Sequence, residues 1–341
     1  MQRVMFVTGE RPAVFWGYDL AADNARFLRT LDAEYFGFVA RECAARLKDE
    51  TTLERADRLR AATTLRIAYG QAAETLMALL AATAQIPTFP MGWMLRYQNQ
   101  DLRDVVTAIE SERPLHSLLV ERPVTWRTIS ALVHSYIPGP AERLGLIDRA
   151  ATFWSRMAQQ FLSDHHQNEY NALKHGLRVM PGGFSIAFGV EKKPGQPAAP
   201  EDMTSLGGSQ FGATYVVPVR IDGAAKHHFR ISRESRNWSY EALAIDLQLM
   251  AQSMANVVGC LRVVGGDDAS QVRFSWPNGP DGDAFTRHRD FLPSLERLSR
   301  PDHVLAEDIA PVTAAEIFAA YEHAQDRPAS EPPETTDTAG S

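Results

Sequence analysis

Thiols are scarce in this chain. Two cysteines, Cys43 and Cys260, stand far apart among 341 residues with no C-x-x-C spacing. That excludes a thiol zinc knuckle and a redox pair, and argues against a disulfide framework; both read as small buried hydrophobes. Uninterrupted apolar stretches are short: the one from Thr75 to Ala84 falls far below the roughly 20 residues that cross a bilayer. The amino terminus shows no basic region followed by an apolar run and a small-residue cleavage site, so the expectation is a soluble cytoplasmic protein with no membrane contact. Phosphate-cradling loops are missing as well. Gly207-Gly208 and Gly265-Gly266 lack the P-loop and dinucleotide spacings, and no serine or cysteine nucleophile signature occurs. No cofactor is expected, and no metal: His165 and Glu169 make a single i, i+4 pair, without a second helix that offers further ligands. The net charge of −7 excludes a surface cationic everywhere, leaving only local patches for nucleic acid.

What is present is ordinary for a globular protein. With 45% hydrophobic and 23% charged residues, the chain can bury a substantial core and is long enough for two domains. Apolar residues recur at helical spacing from Ala22 to Lys48 and from Leu53 to Gln85, predicting two long helices joined by a short acidic turn. Asp101 marks a helix reaching about Glu110, and Pro123 followed by Thr125 opens another reaching about Tyr136. A long, bent helix from Ala141 to about Val179 is stopped by Pro181-Gly182-Gly183. Together these make a bundle of about five helices.

Beyond residue 180 the period changes. Phe184, Ile186, Phe188 and Val190 alternate with small residues, as in a half-buried strand. Lys192 to Gly212 reads as a long loop, and Ala213–Ile221 and Lys226–Arg233 as two strands around an Asp222-Gly223 turn. A helix from Ser239 to about Val264 follows, and Thr313 with Glu316 forms a capping box for a last one. The fold expected is mainly α (α+β): a helical bundle over 1–180, then a small antiparallel sheet with a packed C-terminal helix over 181–324. From Asp326 to Asp337 four acids face one base, so 325–341 reads as a disordered acidic tail.

Chemically able side chains crowd in one place, His165 to Arg178. On a continuous helix Asp164, Asn168, Asn171, His175 and Arg178 share one stripe, with Leu162, Leu173 and Leu177 opposite. The run Asn171-Ala172-Leu173-Lys174-His175-Gly176 at the end of a late helix resembles the HEPN-like superfamily, compact α-helical domains of bacterial defence and toxin proteins. The resemblance covers roughly residues 20–180. It implies a metal-independent ribonuclease with an arginine followed by four to six residues and then a histidine, often with a polar residue after the arginine, completed across a dimer; here Asn171 and His175 match the polar residue and the histidine, and Tyr170 stands at the arginine position. A histidine suits proton transfer near neutral pH, and an arginine suits a phosphorane. The candidate assignment is therefore His175 as acid/base, Arg178 as phosphate clamp and Asn171 as orienter, with Lys174 beside them for nucleic acid.

A second patch, Lys226 to Arg236, sends Lys226, His228 and Arg230 to one strand face, a cationic side for RNA. The functional expectation is a HEPN-like protein that binds or acts on RNA, with a homodimer compatible with so much helix. The alternative is a non-catalytic helical interaction or assembly module, in which a polar stripe opposite leucines is a solvated amphipathic face. Glu74, set within the apolar run Ala72 to Leu80, is expected to partner a basic residue or tyrosine of the long helix.

Overall fold

A computed structural model describes residues 1–8, 11–115, 124–137, 139–176, 178–193, 195–221, 228–275, 285–302 and 312–325. The fold is α+β and mainly helical. It opens on a hairpin, β1 (Gln2–Thr8) and β2 (Arg11–Gly17), which the helical reading of the sequence did not include. Period-two alternation explains it: Phe6 and Ala13, paired across the strands, are buried, whereas Met5 and Val14 on the other face are exposed.

The expected first helix is two, α1 (Leu20–Thr30) and α2 (Glu34–Lys48). Asp19 caps α1 by accepting from the Ala22 N–H, and Asp32 accepts from the Glu34 N–H at 3.1 Å, which starts the chain afresh. α3 (Arg55–Gln85) is 31 residues long and runs through the core with Leu65, Leu76, Met77 and Leu80 buried. Its small residues permit close neighbours: a Cβ at Gly70 would sit 2.3 Å from the ring of Tyr170. α4 (Pro90–Arg96), α5 (Asn99–Glu110) and α6 (Trp126–Val133) follow, the last two with the capping signals at Asp101 and Thr125 in use.

The long helix expected from Ala141 to Val179 is divided. α7 (Pro140–Leu162) stops at Ser163, whose backbone is extended (φ −66°, ψ 127°), and α8 (Asp164–Lys174) begins at once after it. No glycine or proline marks the break. Arg103, from α5, donates to the Phe161 and Leu162 carbonyls at 3.3 and 2.9 Å and so satisfies the end of α7. α8 ends at Lys174, Gly176 takes φ 91°, and the Arg178 N–H meets the Ala172 carbonyl.

Short strands follow: β3 (Val179–Pro181), β4 (Ser185–Phe188), β5 (Thr204–Gly208), β6 (Gly212–Arg220), β7 (Phe229–Asn237) and, near the end, β8 (Arg297–Pro301). β4 pairs with β5, and the larger antiparallel-edged sheet has the order β3-β6-β7-β8. α9 (Tyr240–Val264) starts at the Ser239 cap and carries Leu247, Met250, Met254 and Val257 into the same core as α2 and α3. It is long and apolar enough to cross a membrane by composition, a property spread over interrupted apolar segments and mostly turned inward here.

The chain forms two compact units. The larger comprises 1–216 and 234–299, and within it α9 packs into the helical core. The smaller unit comprises 217–233 and 300–341. In it the Asp302 N–H bonds the Ile231 carbonyl, and α10 (Ala314–Gln325) is closed at its start by Thr313 and Glu316. Residues 326–341, the expected acidic tail, lie outside the described residues.

Candidate functional site

α8 carries two chemically distinct faces. Turned inward are His166, Glu169, Ala172 and Leu173, the i, i+3, i+6, i+7 spacing of a buried stripe. Glu169 is 0% exposed, and its carboxylate accepts four hydrogen bonds: from Arg66 Nε (3.0 Å) and Nη2 (2.5 Å), Arg236 Nη1 (3.0 Å) and Trp238 Nε1 (2.7 Å). Burial alone would push this carboxyl up, but Arg66 and Arg236 overcome it and hold the group down at about 2. It is an anion at every physiological pH.

His166, one turn earlier, is buried with its Nδ1 3.4 Å from Arg66 Nη2 and its Nε2 without a hydrogen-bond partner among the described residues. Desolvation, with Arg66 beside it, lowers its pKa to about 3, so it is neutral at pH 7. Packed near the rings of Tyr69 and Tyr170, it is a core histidine.

The neighbouring face also meets α3, at Glu74. Tyr170 donates to Glu74 at 3.2 Å, and Lys174 approaches the same carboxylate at 3.6 Å, so Glu74 has the tyrosine and base expected of it. Burial, with Glu74 as neighbour, pushes the Tyr170 phenol well above its ordinary value. Asn171 and Lys174 border a small cavity here of about 40 Å³, room for little more than a water.

His175 and Arg178 are exposed beyond the end of α8, and neither side chain makes a hydrogen bond or ion pair among the described residues. The stripe that was to place Arg178 one turn above His175 required a helix continuing past 175. The turn at Gly176 removes that geometry. In the smaller unit, His228 is half-buried and Arg230 has a buried Nε without a partner among the described residues; Lys226 lies outside them.

A second feature joins the inward network. A cleft of about 200 Å³ is lined by Arg66, Arg156 and Arg236 with Tyr69, Gln160 and His288. Arg156 grips Asp246 through both terminal nitrogens, at 2.8 and 2.7 Å. Arg236 extends its other nitrogen, Nη2, to Glu296 at 2.6 Å. These residues come from sequence positions up to 230 apart, so spacing within one segment cannot reveal them. One signal was readable: Arg66 is a charge set on the buried side of a long helix between Leu65 and Ala68, a position that requires a distant acid.

No family model, curated protein or solved structure matches the chain.

Proposed function

We propose that this chain is a non-catalytic helical assembly module, and that α10 of one copy docks into the groove between α2 and α3 of a second copy. The supporting observation is α10 itself. From Ala314 to Glu322 every residue is exposed, Phe318 by 72%, and Ile317, Phe318 and Tyr321 form an apolar ridge at i, i+1 and i+4. Helices of about 12 residues are marginal alone in water, so a well-capped one with an apolar ridge suits binding in a groove. The α2/α3 groove, about 400 Å³, offers Phe38, Val39 and Ala61 as apolar floor. Arg46 on its border makes no side-chain ion pair among the described residues and complements Glu322 of the helix. Reciprocal docking of two copies closes the assembly as a dimer.

Sedimentation of the full chain tests this. The wild type is expected to form dimers, and Phe318→Asp or Phe38→Asp, both at exposed positions, to shift the population to monomer with unchanged thermal melting. Dimers that persist in both variants would place the interface elsewhere and overturn the reading.

The HEPN-like ribonuclease reading draws its support from the exposure of His175, Lys174 and Arg178 at the end of α8, where RNA can reach them. On the assembly reading, purified chain leaves RNA intact and His175→Ala behaves identically. Cleavage by the wild type that His175→Ala abolishes would replace the assembly reading with the ribonuclease.

A further inference from the structure

We propose that the arginine cleft is a binding site for a phosphate group, occupied in this structure by the carboxylate of Glu296 as an internal imitation. It goes beyond the assembly reading and does not depend on it.

The charge arrangement leads there. Arg66, Arg156 and Arg236 place three guanidiniums around one cleft. Two of the balancing acids, Glu169 and Asp246, are buried and held by several bonds each. The third, Glu296, is different: its side chain is 60% exposed and reaches Arg236 with a single oxygen. When it turns outward, three arginines face two acids and the cleft carries one excess positive charge. The move needs no unfolding, because the Glu296 carbonyl accepts from the Asn237 N–H and the neighbouring Leu295 carbonyl accepts from Asn237 Nδ2, anchoring the backbone.

Donors are waiting at that position. Arg236 Nη2 is released by Glu296, and neither Arg66 Nη1 nor Gln160 Nε2 has a hydrogen-bond partner among the described residues. Planar guanidinium forks with a neutral amide suit the several acceptor oxygens of phosphate. Deeper in the cleft, the buried His288 Nδ1 has no hydrogen-bond partner among the described residues, standing 4.0 Å from Asp246. The volume limits the ligand. About 200 Å³ is below the roughly 300–1,000 Å³ typical of drug-sized ligands, which excludes a full nucleotide and admits inorganic phosphate or the monoester of a small alcohol.

Calorimetric titration of the full chain with orthophosphate, glycerol 3-phosphate and glycerol tests the assignment. Wild type is expected to bind the phosphates saturably and glycerol not at all. Glu296→Gln removes the internal competitor and should tighten phosphate binding about three- to fivefold, the scale of an exposed ion pair. Gln160→Glu puts a negative charge among the donors and should weaken binding about tenfold or more. Should Gln160→Glu lower the melting temperature, Leu292→Asp, at a 57% exposed position on the cleft wall, provides the same repulsion. A tighter monoester identifies a phosphorylated small molecule as the source, and equal affinities identify the free ion; both support the site. Absence of saturable binding in Glu296→Gln, or binding indifferent to both added charges, would overturn it.

Discussion

Glu169→Gln should be the most damaging single substitution in the larger unit. The amide keeps the shape of the carboxylate but presents an NH2 group to donors and removes the one charge that balances Arg66 and Arg236 at that point. Breaking a buried ion pair by neutralising one partner costs about 3–5 kcal/mol, because the remaining charge stays buried without compensation. Whole-domain stabilities are about 5–15 kcal/mol, so such a loss approaches unfolding. The network also ties α3, α8 and the end of β7 together, and their mutual packing loosens with it. Urea denaturation reads the effect directly. Asp148→Asn is the control: its partner Arg127 and Asp148 itself are both largely exposed, so the change should stay within about 1 kcal/mol. A Glu169→Gln loss as small as the control's would show that the four bonds contribute nothing net.

Acid should destabilise the chain in two stages. His134 is buried, with Nδ1 2.8 Å from the Ser130 carbonyl and its ring stacked on Trp154; desolvation lowers its pKa to about 4. His166 is lowered to about 3. Unfolded, both histidines take a proton near pH 6.5, whereas folded they do not until much lower. The unfolded state therefore binds more protons through this interval, and stability falls as pH falls. Each such group removes up to about 1.4 kcal/mol per pH unit, so between pH 6.5 and 4.5 the pair removes several kcal/mol. Glu169 acts below that: its stabilisation is complete above the ordinary carboxylate value near 4.5 and is lost as pH falls toward about 2. Urea midpoints measured from pH 7.5 to 4.5 should decline steadily, and His134→Gln should flatten the slope. A flat profile over that interval would mean that these histidines are accessible to protons in the folded chain.

Periodicity made most of the helical architecture legible: α3 and α9 lie close to the ranges read from Leu53 and Ser239, and Asp101 and Thr125 take part in the caps of α5 and α6. What escaped was set by distant partners. The break at Ser163 has no local breaker and depends on Arg103 from another helix. The candidate site moved for the same reason: spacing placed His175 and Arg178 on one stripe, whereas Gly176 ends the helix between them. Glu169 read as half of a weak metal pair with His165 because its partners, Arg66, Arg236 and Trp238, lie 67 or more residues away in sequence. Within α8, however, Leu173, read opposite the polar stripe, is on the buried face, and His166 and Glu169 share that face.

The most direct measurement of the assembly account is sedimentation equilibrium of the full chain from low to high micromolar concentration, beside Phe318→Asp. A monomer–dimer equilibrium is expected in the wild type, shifted to monomer in the variant. A wild type monomeric at every concentration, with the same profile as Phe318→Asp, would contradict it.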